Sequence, residues 1–251
     1  MIRSGLTSIT FRKLSPREIV HIVVEAGLDA IEWGGDVHVP HGDTARAREV
    51  GAMSRDAGLA TPSYGSYYHV GLREPVPFED VLETAAALEA PMIRVWPGRK
   101  GSAESDEDYR KMVVEDAQRI AEIAACNGAK IACEYHPNTL TDTAESAARL
   151  LEEVGRENFG SYWQPHGLLV GQMLEAIAAI GDRLANVHVF HWGEGRLPLA
   201  EGEGVWTRCL RKIAQIPGDR YALLEFVRDD DPDAFRADAK TLKQWLDQLS
   251  S

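Results

Sequence analysis

The chain has 251 residues, of which 39 are acidic and 27 basic, and its formal net charge is −12. This excess of negative charge repels phosphate groups and no dense run of lysine or arginine offsets it, so we expect no nucleic-acid partner. Hydrophobic residues make up 44% and charged residues 26%, values that indicate a folded protein and exclude a disordered or fibrous one.

Short apolar runs alternate with longer amphipathic stretches from one end of the chain to the other. The runs recur at the spacing of one βα unit, which predicts parallel strands joined by helical crossovers. The eight predicted strands are Ile2–Thr7, Ala30–Trp33, Ala60–Tyr64, Met92–Trp96, Lys130–Glu134, Ser161–Gln164, Val187–Phe190 and Tyr221–Phe226.

The first helix carries clear boundary signals. Ser15 is placed as its N-cap, with Pro16 in the first turn and Glu18 completing a capping box, and Gly27 ends it. Further helices are predicted at Phe78–Leu88, Asp106–Ala125, Asp142–Val154, Met173–Ile180, Val205–Ile213 and Pro232–Leu249. Eight strand–helix units without a linker predict one domain over residues 1–251, a single (β/α)₈ TIM barrel. The rival doubly wound sheet lacks a glycine-rich phosphate motif after any strand.

The cysteines and the N-terminus bear on the compartment. Cys126, Cys133 and Cys209 show no CxxC spacing and lie among apolar residues, as reduced thiols do. The chain begins without the apolar stretch of a signal peptide, and no run of some 18 apolar residues occurs. These features predict a cytoplasmic protein without a membrane span.

Polar side chains occur where the predicted strands end, which is where TIM barrels carry their chemistry. Glu134 and Glu225 close the fifth and eighth strands, and burying a carboxylate there is costly without a cation or hydrogen bonds. His188 in the seventh strand and Gln164 in the sixth add an imidazole and an amide oxygen at the same level. This set suits Mn²⁺ or Mg²⁺, with Co²⁺ and Zn²⁺ as further candidates.

Several motifs occur together in a fixed order. They are Ile31–His38, Cys133–Pro137, Asn186–Val189, Leu199–Trp206 and Leu224–Glu225. On these motifs the chain resembles the xylose isomerase-like TIM barrel superfamily, the sugar isomerase and epimerase group that includes ketose 3-epimerases, hydroxypyruvate isomerases and inosose dehydratases. The resemblance covers nearly the whole chain.

The resemblance implies a ligand set and an acid–base pair. Glu134, His188 and Glu225 would bind the metal, and the two glutamates would also flank the substrate as acid and base. The family's fourth ligand is usually an aspartate at the position of Gln164, so we expect a weaker or altered metal preference here. His188 is favoured over His191 as the ligand because His191 falls at the strand exit.

Candidate substrate contacts lie on the strands and loops around these residues. Tryptophans at four strand ends, namely Trp33, Trp96, Trp163 and Trp192, could offer stacking faces for a sugar. Arg94, with Arg99 and Lys100, is a weaker candidate for a substrate phosphate. The residues predicted to bind the substrate are His38, Trp96, His136, His166, His191 and Arg196.

The predicted function is a divalent-metal-dependent isomerase or epimerase. It would act on a small ketose, aldose or hydroxy-carbonyl compound by glutamate-mediated proton transfer through an enediolate. An inosose-type dehydratase and a non-catalytic sugar-binding barrel are the alternatives. The apurinic endonuclease branch is disfavoured because the sixth strand lacks Asp-x-x-His and no basic groove is indicated. The expected partner is a sugar-like small molecule, and the exposed helices are compatible with a homo-oligomer.

Overall fold

Eight parallel strands close into a barrel in a computed structural model that describes residues 1–73, 76–166 and 169–249. Each strand pairs with the next along the chain, and the last pairs with the first. The strands are β1 Ile2–Thr7, β2 Ala30–Gly34, β3 Tyr64–Val70, β4 Met92–Pro97, β5 Lys130–Cys133, β6 Phe159–Trp163, β7 Leu184–Val189 and β8 Arg220–Leu224. The predicted (β/α)₈ barrel is confirmed; the end of the predicted domain, residues 250 and 251, lies outside the described ranges.

A helix follows each strand. The helices are α1 Pro16–Ala26, α2 Thr44–Asp56, α3 Phe78–Leu88, α4 Glu107–Cys126, α5 Ala144–Val154, α6 Val170–Ile180, α7 Glu203–Ala214 and α8 Pro232–Leu249. The capping box of α1 forms as predicted, with Ser15 Oγ accepting from the Glu18 amide, and Gly27 ends the helix at φ 65°. The sequence patterns did not give the bounds of helix α2. Its N-cap is Asp43, whose Oδ1 accepts from the Arg46 amide.

The structure corrects the third predicted strand. Ala60–Tyr64 was expected, but β3 starts at Tyr64, and Ala60 makes only an isolated bridge with Ala30. The physical reason is Pro62, which has no amide hydrogen to donate and interrupts the ladder.

The fifth and eighth strands end before the predicted residues. β5 stops at Cys133 and β8 at Leu224, so Glu134 and Glu225 lie directly beyond them. Their amides still bond to the neighbouring strands, Glu134 to the Val95 carbonyl at 2.9 Å and Glu225 to the Val189 carbonyl at 3.0 Å. These hydrogen bonds fix the backbone from which both glutamate side chains extend.

Apolar side chains fill the layer between strands and helices, whereas the barrel interior contains a smaller apolar cluster. That cluster consists of Ala132, Tyr162 and Leu223 and is separate from the main core. Side chains two residues apart on a strand share a face, so the residues that follow these by two positions also point inward. They are Glu134, Gln164 and Glu225, which places the predicted site above the interior cluster.

The described helices include none that combines the length and apolar character required to cross a membrane. All three cysteines are free; Cys133 and Cys209 are buried and Cys126 is exposed.

Candidate active site

Three buried side chains converge where the strands end. Glu134, His188 and Glu225 each present a ligand atom, and these atoms lie within 4.8 Å of one another. His188 Nδ1 is 3.7 Å from Glu134 Oε1 and 3.5 Å from Glu225 Oε2. Gln164 Oε1 lies 3.0 Å from the same nitrogen. The structure thus brings together the four residues that the sequence proposed as metal ligands, with His188 and not His191 in the cluster.

The donor set fits a divalent cation. Glu225 Oε2 is buried and has no hydrogen-bond partner among the described residues. An unpaired buried carboxylate oxygen is costly, and a cation would satisfy it. Two carboxylate oxygens, an imidazole nitrogen and an amide carbonyl are ligands that Mn²⁺, Mg²⁺, Co²⁺ and Zn²⁺ accept in differing degrees.

The two glutamates of the cluster have opposite pKa shifts. Burial raises the pKa of Glu134, but the charge of Arg94 and the contact with His188 outweigh burial and bring it to about 2. Burial also raises the pKa of Glu225, to about 7, with repulsion from Glu134 adding to the rise and the charge of His188 opposing it. One carboxylate is therefore held ionised while the other exchanges a proton near neutral pH.

The imidazole of the cluster has a raised pKa. Burial lowers the pKa of His188, but the negative charges of Glu225, Glu134 and Glu32 outweigh burial and raise it to about 10. A metal at Nδ1 would replace a proton on this ring.

Arg94 accounts for the low pKa of Glu134. Its guanidinium is buried and contacts Glu32 Oε1 through Nε at 3.0 Å and Glu134 Oε2 through Nη1. Trp96 Nε1 donates to the same Glu134 oxygen at 2.5 Å. Because both of its neighbours are carboxylates, Arg94 has its charge neutralised inside the barrel and does not serve the substrate phosphate considered for it.

Sequence reasoning missed the role of Glu32 as a buried charge. It lies on β2, is 1% exposed, and is bonded by Ser63 at 2.6 Å and Tyr162 at 2.7 Å as well as by Arg94. The signal was present, because a carboxylate in the apolar strand Ala30–Trp33 is as unusual as the glutamates that were selected on the fifth and eighth strands.

Tyr67 was also missed. It has φ 57° within β3, where the register with β4 shifts between Gly65 and Tyr68. The bulge turns its ring to within 5.1 Å of the Arg94 guanidinium and 5.8 Å of the Trp96 ring. A non-glycine residue in this conformation is strained, and such strain is common at active sites.

Three of the predicted substrate contacts surround the cluster. Trp96 stacks on His136 with ring centroids 4.6 Å apart, and His136 Nδ1 bonds to the Pro137 carbonyl at 2.7 Å. His166 is half-buried against Tyr135, and burial together with the nearby charge of His136 lowers its pKa. Trp96 lies at the end of β4, and His136 and His166 lie in the loops after β5 and β6. Their substrate role stays a prediction.

Among the other three predicted contacts, His38 and Arg196 have partners within the protein. Both ring nitrogens of His38 bond within the protein, to Ser8 Oγ at 2.9 Å and to the Leu14 carbonyl at 3.2 Å, so neither is left for a substrate. His191 packs its ring against Gly202 before α7. Arg196 bonds to Asp230 and lies over the Phe226 ring at 5.1 Å, which ties the β7 loop to the β8 loop.

Two of the four strand-end tryptophans do not line the site. Trp33 is fully buried and donates to Ser54 on α2, and Trp163 packs edge-on against Trp206 on α7. Each follows a residue that points into the barrel, so alternation turns it outward into the helix layer. Of the other two, Trp96 contacts Glu134, and Trp192 is 53% exposed.

Comparison with known proteins agrees with this fold. The sequence profile described as xylose isomerase-like TIM barrel matches residues 20–246. A 3-dehydroshikimate dehydratase from Bacillus anthracis is 30% identical, with 96% of each chain covered. The crystal structure of a probable 3-DHS dehydratase of petrobactin synthesis from Bacillus anthracis superposes with a TM-score of 0.80 at 22% identity, covering 96% of this chain and 99% of that one. D-allulose 3-epimerase from Methylomonas sp. superposes with a TM-score of 0.70 at 17% identity, covering 97% and 98%.

Proposed function

The chain belongs to the xylose isomerase-like TIM barrel family, and we propose that it is a divalent-metal-dependent dehydratase of a small hydroxy-carbonyl compound. The buried cluster of Glu134, His188 and Glu225, with Gln164 beside it, carries this proposal. The full-length relative at 30% identity favours dehydration, which the sequence patterns had ranked below isomerisation. It also makes 3-dehydroshikimate the first substrate to assay.

The residues of the cluster have different proposed roles in cation binding and proton transfer. A divalent cation, with Mn²⁺ and Mg²⁺ favoured, would polarise a substrate carbonyl and so acidify the adjacent C–H bond. Glu134 is anchored by Arg94 and Trp96 through one oxygen and presents the other, Oε1, to the cluster. Among the described residues, Glu225 has no such anchor on Oε2, and its pKa of about 7 supports the role of the group that takes the proton.

The proposed reaction is an elimination. Glu225 accepts the proton from the carbon beside the carbonyl, and the electron pair of that C–H bond goes to form a C=C bond. The C–O bond of the hydroxyl on the next carbon breaks, and the proton on Glu225 passes to the departing oxygen, which leaves as water. Trp96, His136 and His166 are the proposed substrate contacts around the cluster.

Isomerisation or epimerisation is the second candidate, and the placement of Glu134 favours it. Both carboxylates face His188, one from the side of β5 and one from the side of β8. A proton taken by one glutamate and returned by the other to the opposite face would invert the carbon instead of eliminating water. The first step is shared, so the fate of the hydroxyl distinguishes the two reactions.

The test is an assay of the purified protein with 3-dehydroshikimate and, separately, D-allulose in D₂O, each with Mn²⁺, Mg²⁺ or Co²⁺. We expect 3-dehydroshikimate to lose the mass of one water in mass spectrometry, in a reaction that EDTA stops. Deuterium incorporation into D-allulose without loss of water would favour the epimerase. Binding of either compound in EDTA, with no exchange under any metal, would instead indicate a non-catalytic barrel.

A further inference from the structure

The two ring nitrogens of His188 face different carboxylates. Nδ1 faces Glu134 and Glu225, whereas Nε2 lies 3.4 Å from Glu32 Oε1. This distance is that of an ion pair, and the contact lacks hydrogen-bond alignment. His188 is fully buried, and its Nε2 lies beside the Glu32 carboxylate.

Glu32 is held in place by residues on β4 and β6 and by a residue just before β3. Arg94 Nε donates to Oε1 at 3.0 Å, while Ser63 Oγ and Tyr162 Oη donate to Oε2 at 2.6 and 2.7 Å. Tyr162 in turn accepts from Asn186 Nδ2 at 2.8 Å. Glu32 therefore cannot move toward the cluster without breaking several bonds, and its charge is paired with Arg94.

We propose that Glu32 is a positioning residue for metal binding, an inference that rests on the metal site of the proposed function. The negative charge of its carboxylate, 3.4 Å from Nε2, favours the neutral tautomer that carries its proton on Nε2, and this tautomer leaves the Nδ1 lone pair of His188 for the cation. Outer carboxylates that orient a metal-binding histidine in this way typically change metal affinity by about 10–100-fold when removed. Glu32 itself stays outside the ligand set.

The test compares Glu32→Gln with Ser63→Ala. Glu32→Gln keeps the side-chain shape and removes the charge beside Nε2, so we expect the Kd for Mn²⁺ to rise about 10–100-fold in calorimetry and Mn²⁺ EPR. Ser63→Ala removes one bond to the far oxygen, Oε2, and leaves Oε1 in place, so its Kd should stay within about threefold of the unmodified protein. Thermal unfolding of both variants checks that they are folded.

A spectroscopic readout separates positioning from packing. In the Zn²⁺-loaded protein, ¹⁵N NMR of the histidine rings should show His188 protonated at Nε2 with Nδ1 shifted by the metal. Glu32→Gln should give a mixture of tautomers in this experiment. If Glu32→Gln does not fold, Glu32→Asp, which keeps the negative charge beside Arg94 but draws the carboxylate back from Nε2, should show the same loss of affinity.

The outcomes separate this inference from the proposed function. Unchanged Mn²⁺ affinity in Glu32→Gln, or an equal loss in Ser63→Ala, would overturn the positioning role. Metal binding with His188 protonated at Nε2, but no dehydration of any substrate, would contradict the proposed function and support the role of Glu32. Absence of Mn²⁺ and Zn²⁺ binding at millimolar concentration in the unmodified protein would overturn both.

Discussion

The two sides of the barrel mouth hold their glutamates differently. On the β4–β5 side, Glu134 is anchored by Arg94 and Trp96, and its backbone carbonyl accepts from Thr141 Oγ1 at 2.5 Å. On the β7–β8 side, Glu225 Oε2 is buried without a hydrogen-bond donor among the described residues. The rim there is formed by aromatic rings, Phe190, Trp192 and Phe226.

This difference shows how one pair of identical side chains can take two roles. A carboxylate with a guanidinium and an indole on one oxygen is fixed and remains ionised, which suits a permanent ligand. A buried carboxylate that lies beside an imidazole and another carboxylate, without an arginine bonded to it, changes protonation more readily, which suits proton transfer. Both glutamates stay in the proposed ligand set, and the environment, not the residue type, favours Glu225 as the base.

The largest expected effect concerns the anchor of the β4–β5 side. Arg94→Met leaves the buried carboxylates of Glu32 and Glu134 without their cation, so we expect a loss of about 3–5 kcal/mol in the free energy of unfolding. Urea denaturation of chelator-treated protein measures it. The matched control is Arg12→Met, whose ion pair with Asp36 is partly exposed, with 46% and 28% of the two side chains accessible. It should cost at most about 1 kcal/mol, and equal losses in the two variants would contradict the role given to Arg94.

The second prediction contrasts the two glutamates directly. At saturating Mn²⁺, Glu225→Gln should lower turnover at least about 100-fold and abolish solvent deuterium exchange, because the base is lost. Glu134→Gln should mainly weaken metal binding, so that excess Mn²⁺ restores part of its activity. Turnover measured across a Mn²⁺ titration distinguishes the two, and the reverse pattern would exchange their roles.

The third prediction uses the raised pKa values of the β7–β8 side. With pKa values of about 10 for His188 and about 7 for Glu225, the metal-free protein at pH 7 carries protons that the cation must displace. Binding should release between about one and two protons at pH 7, and affinity should rise with pH toward 10 by up to about tenfold per unit per proton. Calorimetry in buffers of different ionisation enthalpy counts them; a buffer-independent enthalpy would refute this linkage.

The smallest expected effect tests the amide between the two sides. Gln164→Asp adds a third carboxylate to the cluster and should tighten Mn²⁺ binding by about tenfold, since affinity rises with ligand charge. Gln164→Asn, which shortens the amide without adding charge, is the control and should not tighten binding. If both substitutions weaken binding, Gln164 is fitted to its position by shape and not by charge.

How far the sequence predicted the site depends on what each feature requires. The glutamates of the fifth and eighth strands and the histidine of the seventh were found because a polar residue in an apolar strand is visible in one dimension. Parallel strands bring their ends together, so these residues could be expected at one mouth. The same test applied to the second and fourth strands would have found Glu32 and Arg94.

Other predictions failed because they needed the register of side chains. Trp33 and Trp163 occupy strand ends, yet each lies one residue from an inward-facing position and therefore points into the helix layer. His38 belongs to a motif of the family but bonds to Ser8 and Leu14 with both nitrogens. A shift of one residue, or a loop that folds back, decides such cases.

The sequence by itself determined the barrel, because the alternation of apolar runs and capped helices is a local pattern that allows few topologies. It also predicted that Glu134, Gln164, His188 and Glu225 meet at one mouth, although it missed Glu32 and the role of Arg94. Only the tertiary structure decided that Glu134 is anchored and Glu225 is not, because Arg94 and Trp96 reach Glu134 from another strand. Hydrogen bonds and pKa shifts depend on distances between residues that are far apart in the chain, and those distances exist only once the barrel has closed.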